Sequence, residues 1–129
     1  GLGLISYLHF TNLKVAHCSD IACSSATTAT LDSSGIEGEY TSVTIGADGL
    51  GLISYLGDND LKVAHCSDAA CSSAAITTLD IGDPMTGKYT SVTIGADGLG
   101  LISYYDNWWA DLKVAHCDNL FCTPYFRRR

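Results

Sequence analysis

GADGLGLISYL at residues 46–56 returns almost unchanged as GADGLGLISYY at residues 95–105, and the chain opens on an incomplete copy, GLGLISYLH. The equivalent glycines Gly1, Gly49 and Gly98 set a period of 48 and then 49 residues. Periods of about 20–50 residues are typical of solenoids, propellers and similar arrays. We therefore treat the chain as a single repeat domain, 1–129, made of a partial repeat 1–48, a full repeat 49–97 and a divergent C-terminal repeat 98–129.

Four segments of one complete unit have the composition of β-strands. TSVTI is rich in β-branched residues and is followed by Gly46-Ala47-Asp48-Gly49, in which Asp-Gly is a strong hairpin signal. The predicted strands are 40–45, 50–56, 61–66 and 75–79. Four short antiparallel strands in about 48 residues describe one propeller blade. We predict an all-β fold of β-propeller-like, four-stranded antiparallel blades.

The first and last repeats are each one strand short. The first lacks YTSVTI and the third lacks TTLD, so the chain carries ten predicted strands, or about two and a half blades. A closed propeller needs about four to eight blades, so one chain is either a fragment or a subunit of an assembly. The alternative architecture is an open stacked β-sheet array. Unpaired strand edges invite strands from another chain.

The six cysteines form three pairs at one spacing, each immediately after an LKVAH segment: Cys18 and Cys23, Cys66 and Cys71, Cys117 and Cys122. We predict that each pair closes a four-residue hairpin loop with Cα atoms about 4.5–5.5 Å apart, within reach of a disulfide. The competing interpretation is a metal site with the preceding histidine as third ligand. Neighbouring strand residues point to opposite faces, which disfavours it, and we assign no metal site. Local disulfides indicate an extracellular or cell-surface location.

Composition excludes several classes of partner. The net charge is −7, and three of the seven basic residues are the terminal Arg127, Arg128 and Arg129, so nucleic acid is not expected. The terminal arginines are interpreted as a solvated tail, a contact for an acidic neighbouring subunit or a processing remnant. No segment reaches the ~18–20 consecutive apolar residues of a membrane span. No cofactor is indicated.

A Ser-His-Asp set recurs with the repeat and resembles a catalytic triad. Its members are Ser54, His65 and Asp80, with Ser6, His17 and Asp32 in the first copy and Ser103 and His116 in the third. A triad is normally built once, beside an oxyanion hole and a strained nucleophile turn. We therefore interpret these residues as a structural polar network and predict that the chain is not an enzyme.

One loop differs conspicuously between repeats. Trp108 and Trp109 lie in a turn two residues longer than its middle-repeat counterpart, 57–60, and His9 and Phe10 occupy it in the first copy. Exposed aromatic side chains pack on a neighbouring subunit or stack on a sugar ring. The sequence does not decide between these two uses. Tyr125 and Phe126 are further candidate contact residues. The Asp and Asn residues of these turns are interpreted as turn chemistry, with calcium as the alternative.

The pattern YTSxxIGxDGLxLISYxD, followed by LKVAHC and a second cysteine, resembles repeat arrays of bacterial extracellular, propeller-like proteins. The resemblance covers nearly all of the chain, although Gly51 and Gly100 stand where proline is expected. It implies an extracellular binding or structural role and supplies no catalytic residues. Together with the incomplete blades, it predicts a structural protein that self-assembles into a fibre or ring through its open sheet edges, with a lectin-like, glycan-binding module as the alternative.

Overall fold

The computed structural model describes residues 1–81 and 85–123, which form ten strands and no helix. The strands are β1 (Leu4–His9), β2 (Asn12–Cys18), β3 (Ala26–Asp32), β4 (Glu37–Ile45), β5 (Gly51–Gly57), β6 (Asp60–Cys66), β7 (Ala74–Asp80), β8 (Thr86–Ile94), β9 (Gly100–Asp106) and β10 (Asp111–His116). The all-β prediction is confirmed, and the ten strands of the described residues agree with the predicted number. Within the described ranges there is accordingly no helix that could cross a membrane.

The strands form three separate antiparallel sheets, whose boundaries do not coincide with those of the repeats: β4, from residues 1–48, belongs to the middle sheet, and β8, from residues 49–97, belongs to the third. The first sheet has the order β1-β2-β3, the middle sheet β4-β5-β6-β7 and the third sheet β10-β9-β8. Each sheet is a meander in which sequential strands pair, so every connection within a sheet is a hairpin. The sheets are open, and the middle sheet has the four antiparallel strands of the predicted unit, whereas the other two have three each.

The hairpin turns follow from residues that accept a left-handed backbone. Gly49 has φ +79°, and the turn is closed by the amide of Gly46, which donates to the carbonyl of Leu50 at 2.8 Å. Between β5 and β6, Asp58 and Asn59 have φ of 47° and 71°. Two successive residues of positive φ match the right-handed twist of the flanking strands.

Strand β4 begins at Glu37, three residues earlier than the sequence pattern predicts. Its register against β5 shifts twice, between Glu37 and Glu39 and between Glu39 and Ser42. Gly38 and Tyr40 have positive φ at these irregularities. The sequence prediction depended on β-branched residues, which Glu-Gly-Glu at 37–39 lacks, and the strand reaches these residues only through bulges.

The three sheets lie face to face, and the core fills the two spaces between them. One apolar cluster joins Leu13 and Val15 of the first sheet to Ile53 and Tyr55 of the middle sheet. The other joins the repeat equivalents, Leu61 and Val63 of the middle sheet and Ile102 and Tyr104 of the third. The middle sheet is therefore buried on both faces, whereas each flanking sheet has one covered face.

All three predicted disulfides are present, with Cα–Cα distances of 4.8, 4.8 and 4.5 Å. The loop that holds each of the first two is longer than the predicted four-residue hairpin, because Cys18 pairs across the ladder with Ala26 and Cys66 with Ala74. Inside the first loop, the Asp20 carboxylate accepts hydrogen bonds from the amide and hydroxyl of Ser24. Cys23 has φ +52°. The side chain of Asp20 thus organises a loop that ladder pairing alone would leave open.

Candidate functional site

The junction between the first and middle sheets contains a buried polar group. The Lys62 ammonium donates to Oε1 of Glu37 at 2.7 Å and lies 3.9 Å from Oδ2 of Asp32. The Tyr55 hydroxyl donates to the same Asp32 oxygen at 2.7 Å. Because Asp32 belongs to the first sheet and the other residues to the middle sheet, this contact ties the two sheets together.

The same contact recurs one repeat later. Lys113 of the third sheet lies 2.9 Å from Oδ2 of Asp80 in the middle sheet and 3.0 Å from Oδ2 of Asp106. Tyr104 donates to Asp80 at 2.7 Å. We call this arrangement the Tyr-Asp-Lys contact. It occurs once at each junction between sheets and adds hydrogen-bond specificity to apolar packing.

Burial and charge shift the ionisation of this group in opposite directions. Burial raises the pKa of Glu37 above its usual range, although the hydrogen bond from Lys62 opposes the shift. Burial alone would also raise the pKa of Asp32, but the hydrogen bonds from Tyr55 and Ser34 outweigh it and the pKa is lowered. Burial raises the pKa of Tyr55 above its usual value, and the hydrogen bond to Asp32 raises it further. The other Glu37 oxygen, Oε2, is buried without a hydrogen-bond partner.

The hydroxyl groups form a second repeated junction contact. The Ser54 hydroxyl donates to Oγ1 of Thr90 in the third sheet at 2.8 Å. One repeat earlier, Thr41 donates to Oγ of Ser6 at 2.7 Å. Ser103, the third-repeat equivalent, is half-buried in the third sheet. These residues connect successive sheets at equivalent positions.

The histidines bond to a different carboxylate from the one in the Ser-His-Asp set. Nε2 of His65 lies 2.7 Å from Oδ2 of Asp48, and Nε2 of His116 lies 2.6 Å from Oδ2 of Asp97. His17 is half-buried in β2, and its repeat lacks the YTSVTIGAD segment that would carry the matching aspartate. The structure therefore places Ser54, His65 and Asp80 in three separate contacts rather than in one relay.

Equivalent apolar residues differ sharply in exposure according to the sheet that carries them. Leu13 and Leu61 are 0% exposed, whereas their third-sheet equivalent Leu112 is 76% exposed. Ile53 and Ile102 are 0% exposed, whereas their first-sheet equivalent Ile5 is 49% exposed. The uncovered faces are therefore the outer face of the third sheet and the outer face of the first sheet.

The strand edges are incomplete in the same two sheets. In the described residues, β1 lies at one edge of the first sheet, where its equivalent β5 pairs with β4. At the other end, β10 lies at an edge of the third sheet, where its equivalent β6 pairs with β7. Unpaired strand edges present free backbone donors and acceptors. Two open edges and two open faces thus define the candidate association surface.

The aromatic loop is exposed and anchored. Trp108 and Trp109 are 62% and 70% exposed, and their rings are almost perpendicular, with centroids 6.4 Å apart. Oδ1 of Asp106 accepts from the Trp108 amide at 2.9 Å, while its other oxygen contacts Lys113. The loop is thereby tied to the Tyr-Asp-Lys contact. In the first sheet, His9 and Phe10 form an edge-to-face pair with centroids 4.4 Å apart. Tyr125, Phe126 and the terminal arginines lie outside the described residues.

No known family model matches this chain, and no curated protein matches it. The residues that sequence reasoning missed are Glu37, Asp48 and Lys62. One signal pointed to Lys62, since a lysine stands in the middle of every apolar LKVAHC segment. Asp32 and Asp80, which contact the lysines, were already in the predicted polar network. Glu37 and Asp48 carried no comparable signal, because they reach Lys62 and His65 from another strand and from a turn.

Proposed function

We propose that this chain is an extracellular structural repeat protein that self-assembles into a fibre or a ring, with its sheets acting as propeller-like blades. The observation that carries the proposal is the contrast between the buried middle sheet and its two flanking sheets, each one strand short and uncovered on one face. The three disulfides, which are typical of extracellular proteins, support the location. The two exposed ends differ in their residues, so copies would join end to end.

Light scattering and native mass spectrometry test the assembly. We expect the mean mass to exceed that of one chain and to rise with concentration over about two orders of magnitude, because association follows mass action. Electron micrographs then separate a closed ring from an open fibre. A folded protein with the mass of one chain at every concentration would contradict the proposal.

Glycan binding is the second candidate, and the exposed Trp108 and Trp109 rings favour it. Two indole rings on a loop anchored by Asp106 offer flat apolar faces to a sugar. We expect this function to show as binding on a glycan array that is lost when Trp108→Ala and Trp109→Ala are combined, while the oligomeric mass is unchanged. Arrays without any bound glycan would remove this candidate.

A further inference from the structure

We propose that a second copy of this chain stacks the outer face of its first sheet on the outer face of the third sheet, in the register that joins successive sheets within one chain. The inference rests on the proposed self-assembly and names its surface. It assigns association to the sheet faces rather than to the strand edges. The two junctions between sheets that the chain already contains indicate that the covering surface comes from a second copy.

The two internal junctions are repeat equivalents of one another. At the first, Leu13 and Val15 pack against Ile53 and Tyr55; at the second, Leu61 and Val63 pack against Ile102 and Tyr104. The Tyr-Asp-Lys contact and the Ser-Thr hydroxyl pair recur at both. The same two surfaces therefore recognise each other twice within one molecule.

The third sheet carries the first of these surfaces with no sheet upon it. Leu112 and Val114 are the equivalents of Leu61 and Val63, and they are 76% and 59% exposed. Leu101, the equivalent of the buried Leu52, lies on the same surface and is 37% exposed. We call these three residues the leading face.

The first sheet carries the complementary surface. Ile5 is the equivalent of Ile53 and Ile102, and Tyr7 is the equivalent of Tyr55 and Tyr104. Ile5 is 49% exposed and Tyr7 is half-buried. We call these two residues the trailing face. Apart from the strand equivalent to β4 and β8, which the described first sheet lacks, the leading and trailing faces match the two sides of each internal junction. Copies of the chain can therefore complement one another through the strands that remain.

The junction between chains is expected to be weaker than the internal ones. The aspartate of the Tyr-Asp-Lys contact belongs to the last strand of a sheet, β3 or β7, and the described third sheet ends at β10 without an equivalent strand. The junction therefore gains apolar burial but lacks this charged contact. It also lacks the Ser-Thr hydroxyl pair, because the threonine of that pair lies on β4 or β8 and the described first sheet has no equivalent strand. Assembly should accordingly be reversible on dilution. The two faces differ, so the association is heterologous and extends to a ring or a fibre.

Charged substitutions on each face test the inference. Leu112→Lys blocks the leading face, Ile5→Lys blocks the trailing face, and Ile21→Lys is the control because Ile21 is 97% exposed in the first disulfide loop, outside the strands. We expect each face variant to raise the concentration of half-assembly by about tenfold or more, since a desolvated charge at an interface is costly. The control variant should assemble like the unmodified protein.

Mixing the two face variants tests the head-to-tail arrangement. Each variant keeps one intact face of opposite kind, so an equimolar mixture should form complexes of two chains and stop there. Near-ultraviolet circular dichroism verifies that each variant is folded, and Val114→Lys replaces Leu112→Lys if the latter is not. Native mass spectrometry resolves the species.

The outcomes separate this inference from the proposed function. If the unmodified chain assembles and both face variants assemble equally well, the faces are not the interface, while self-assembly itself stands. If the unmodified chain never assembles, the proposed function fails. If each variant alone forms pairs and the mixture adds nothing, like faces pair with like, and the head-to-tail arrangement is overturned.

Discussion

At the scale of single residues, burying the charged lysine of LKVAHC costs free energy, which its contact with one particular carboxylate must offset. The side chain of Lys62 is 11% exposed and that of Glu37 is fully buried. Removing two charges from water costs several kcal/mol, which close geometry must offset. The 2.7 Å contact between the Lys62 ammonium and the Glu37 carboxylate provides that geometry. Because both side chains are buried, each charge depends on its partner for stabilisation.

Lys62→Met is predicted to destabilise the fold much more than the equivalent Lys113→Met. Loss of Lys62 leaves Glu37 buried without a counter-ion, and breaking such a pair costs about 3–5 kcal/mol. The Lys113 side chain is 38% exposed and screened by solvent, so its loss should cost about 1 kcal/mol or less. Urea unfolding of both variants at neutral pH measures the difference.

The decrease in the free energy of unfolding caused by Lys62→Met should become smaller as the pH falls. Burial raises the pKa of Glu37 above its unfolded value, so the folded state favours the protonated carboxyl and its ionised form is penalised at higher pH. Without Lys62 this penalty grows. It disappears at a pH below the ordinary pKa of a glutamate, about 4.3, where the carboxyl is protonated in both the folded and the unfolded state. A loss that is independent of pH, or equal in the two lysine variants, would contradict the prediction.

At the scale of elements, the approach of β4 to β2 depends on Gly38. A Cβ built on Gly38 would lie 2.7 Å from the Cα of Leu13, and Gly38 has φ +92°. The same approach recurs between Gly87 and Leu61, where the distance is 2.9 Å. The contacted atoms are backbone, so a side chain at either glycine would push successive sheets apart.

Gly38→Ala is predicted to destabilise the protein more than Gly49→Ala. Both residues have positive φ, which costs a non-glycine residue about 1–2 kcal/mol. Gly49 has open space around its Cβ position, whereas Gly38 would add a steric clash worth at least about 1 kcal/mol more. Thermal unfolding of the two variants, followed by circular dichroism, measures this order. Equal losses would mean that the sheets can separate freely at this point.

The sequence predicted elements well where their cause was local. Asp-Gly at 48–49 placed a hairpin, and the cysteine spacing placed three disulfides. It missed the start of β4 because Glu-Gly-Glu at 37–39 lacks β-branched residues and joins the strand through bulges at Gly38 and Tyr40. The disulfide loop was predicted too short because Cys18 pairs with Ala26 rather than with Cys23.

At the scale of the whole molecule, three sheets in a row determine what is buried and what is exposed. Only the middle sheet is covered on both faces, and the identical LKVAHC segment occurs in all three sheets. Repeat proteins derive stability from nearest-neighbour junctions, and the proposed assembly would add one more junction of this kind. Whether the proposed assembly closes into a ring depends on the rotation from one sheet to the next.

The sequence by itself determined the period, the ten strands, the hairpins and the cysteine pairs, because turn residues and strand patterns act over a few neighbouring positions. The tertiary structure alone decided the contact of Tyr55 with Asp32 between two sheets and that of Lys62 with Glu37 within the middle sheet, since each joins strands that are not neighbours in the chain. It also decided exposure. Leu61 is buried and Leu112 is 76% exposed within the same LKVAHC sequence, because only a neighbouring sheet, and not the local sequence, can cover a face.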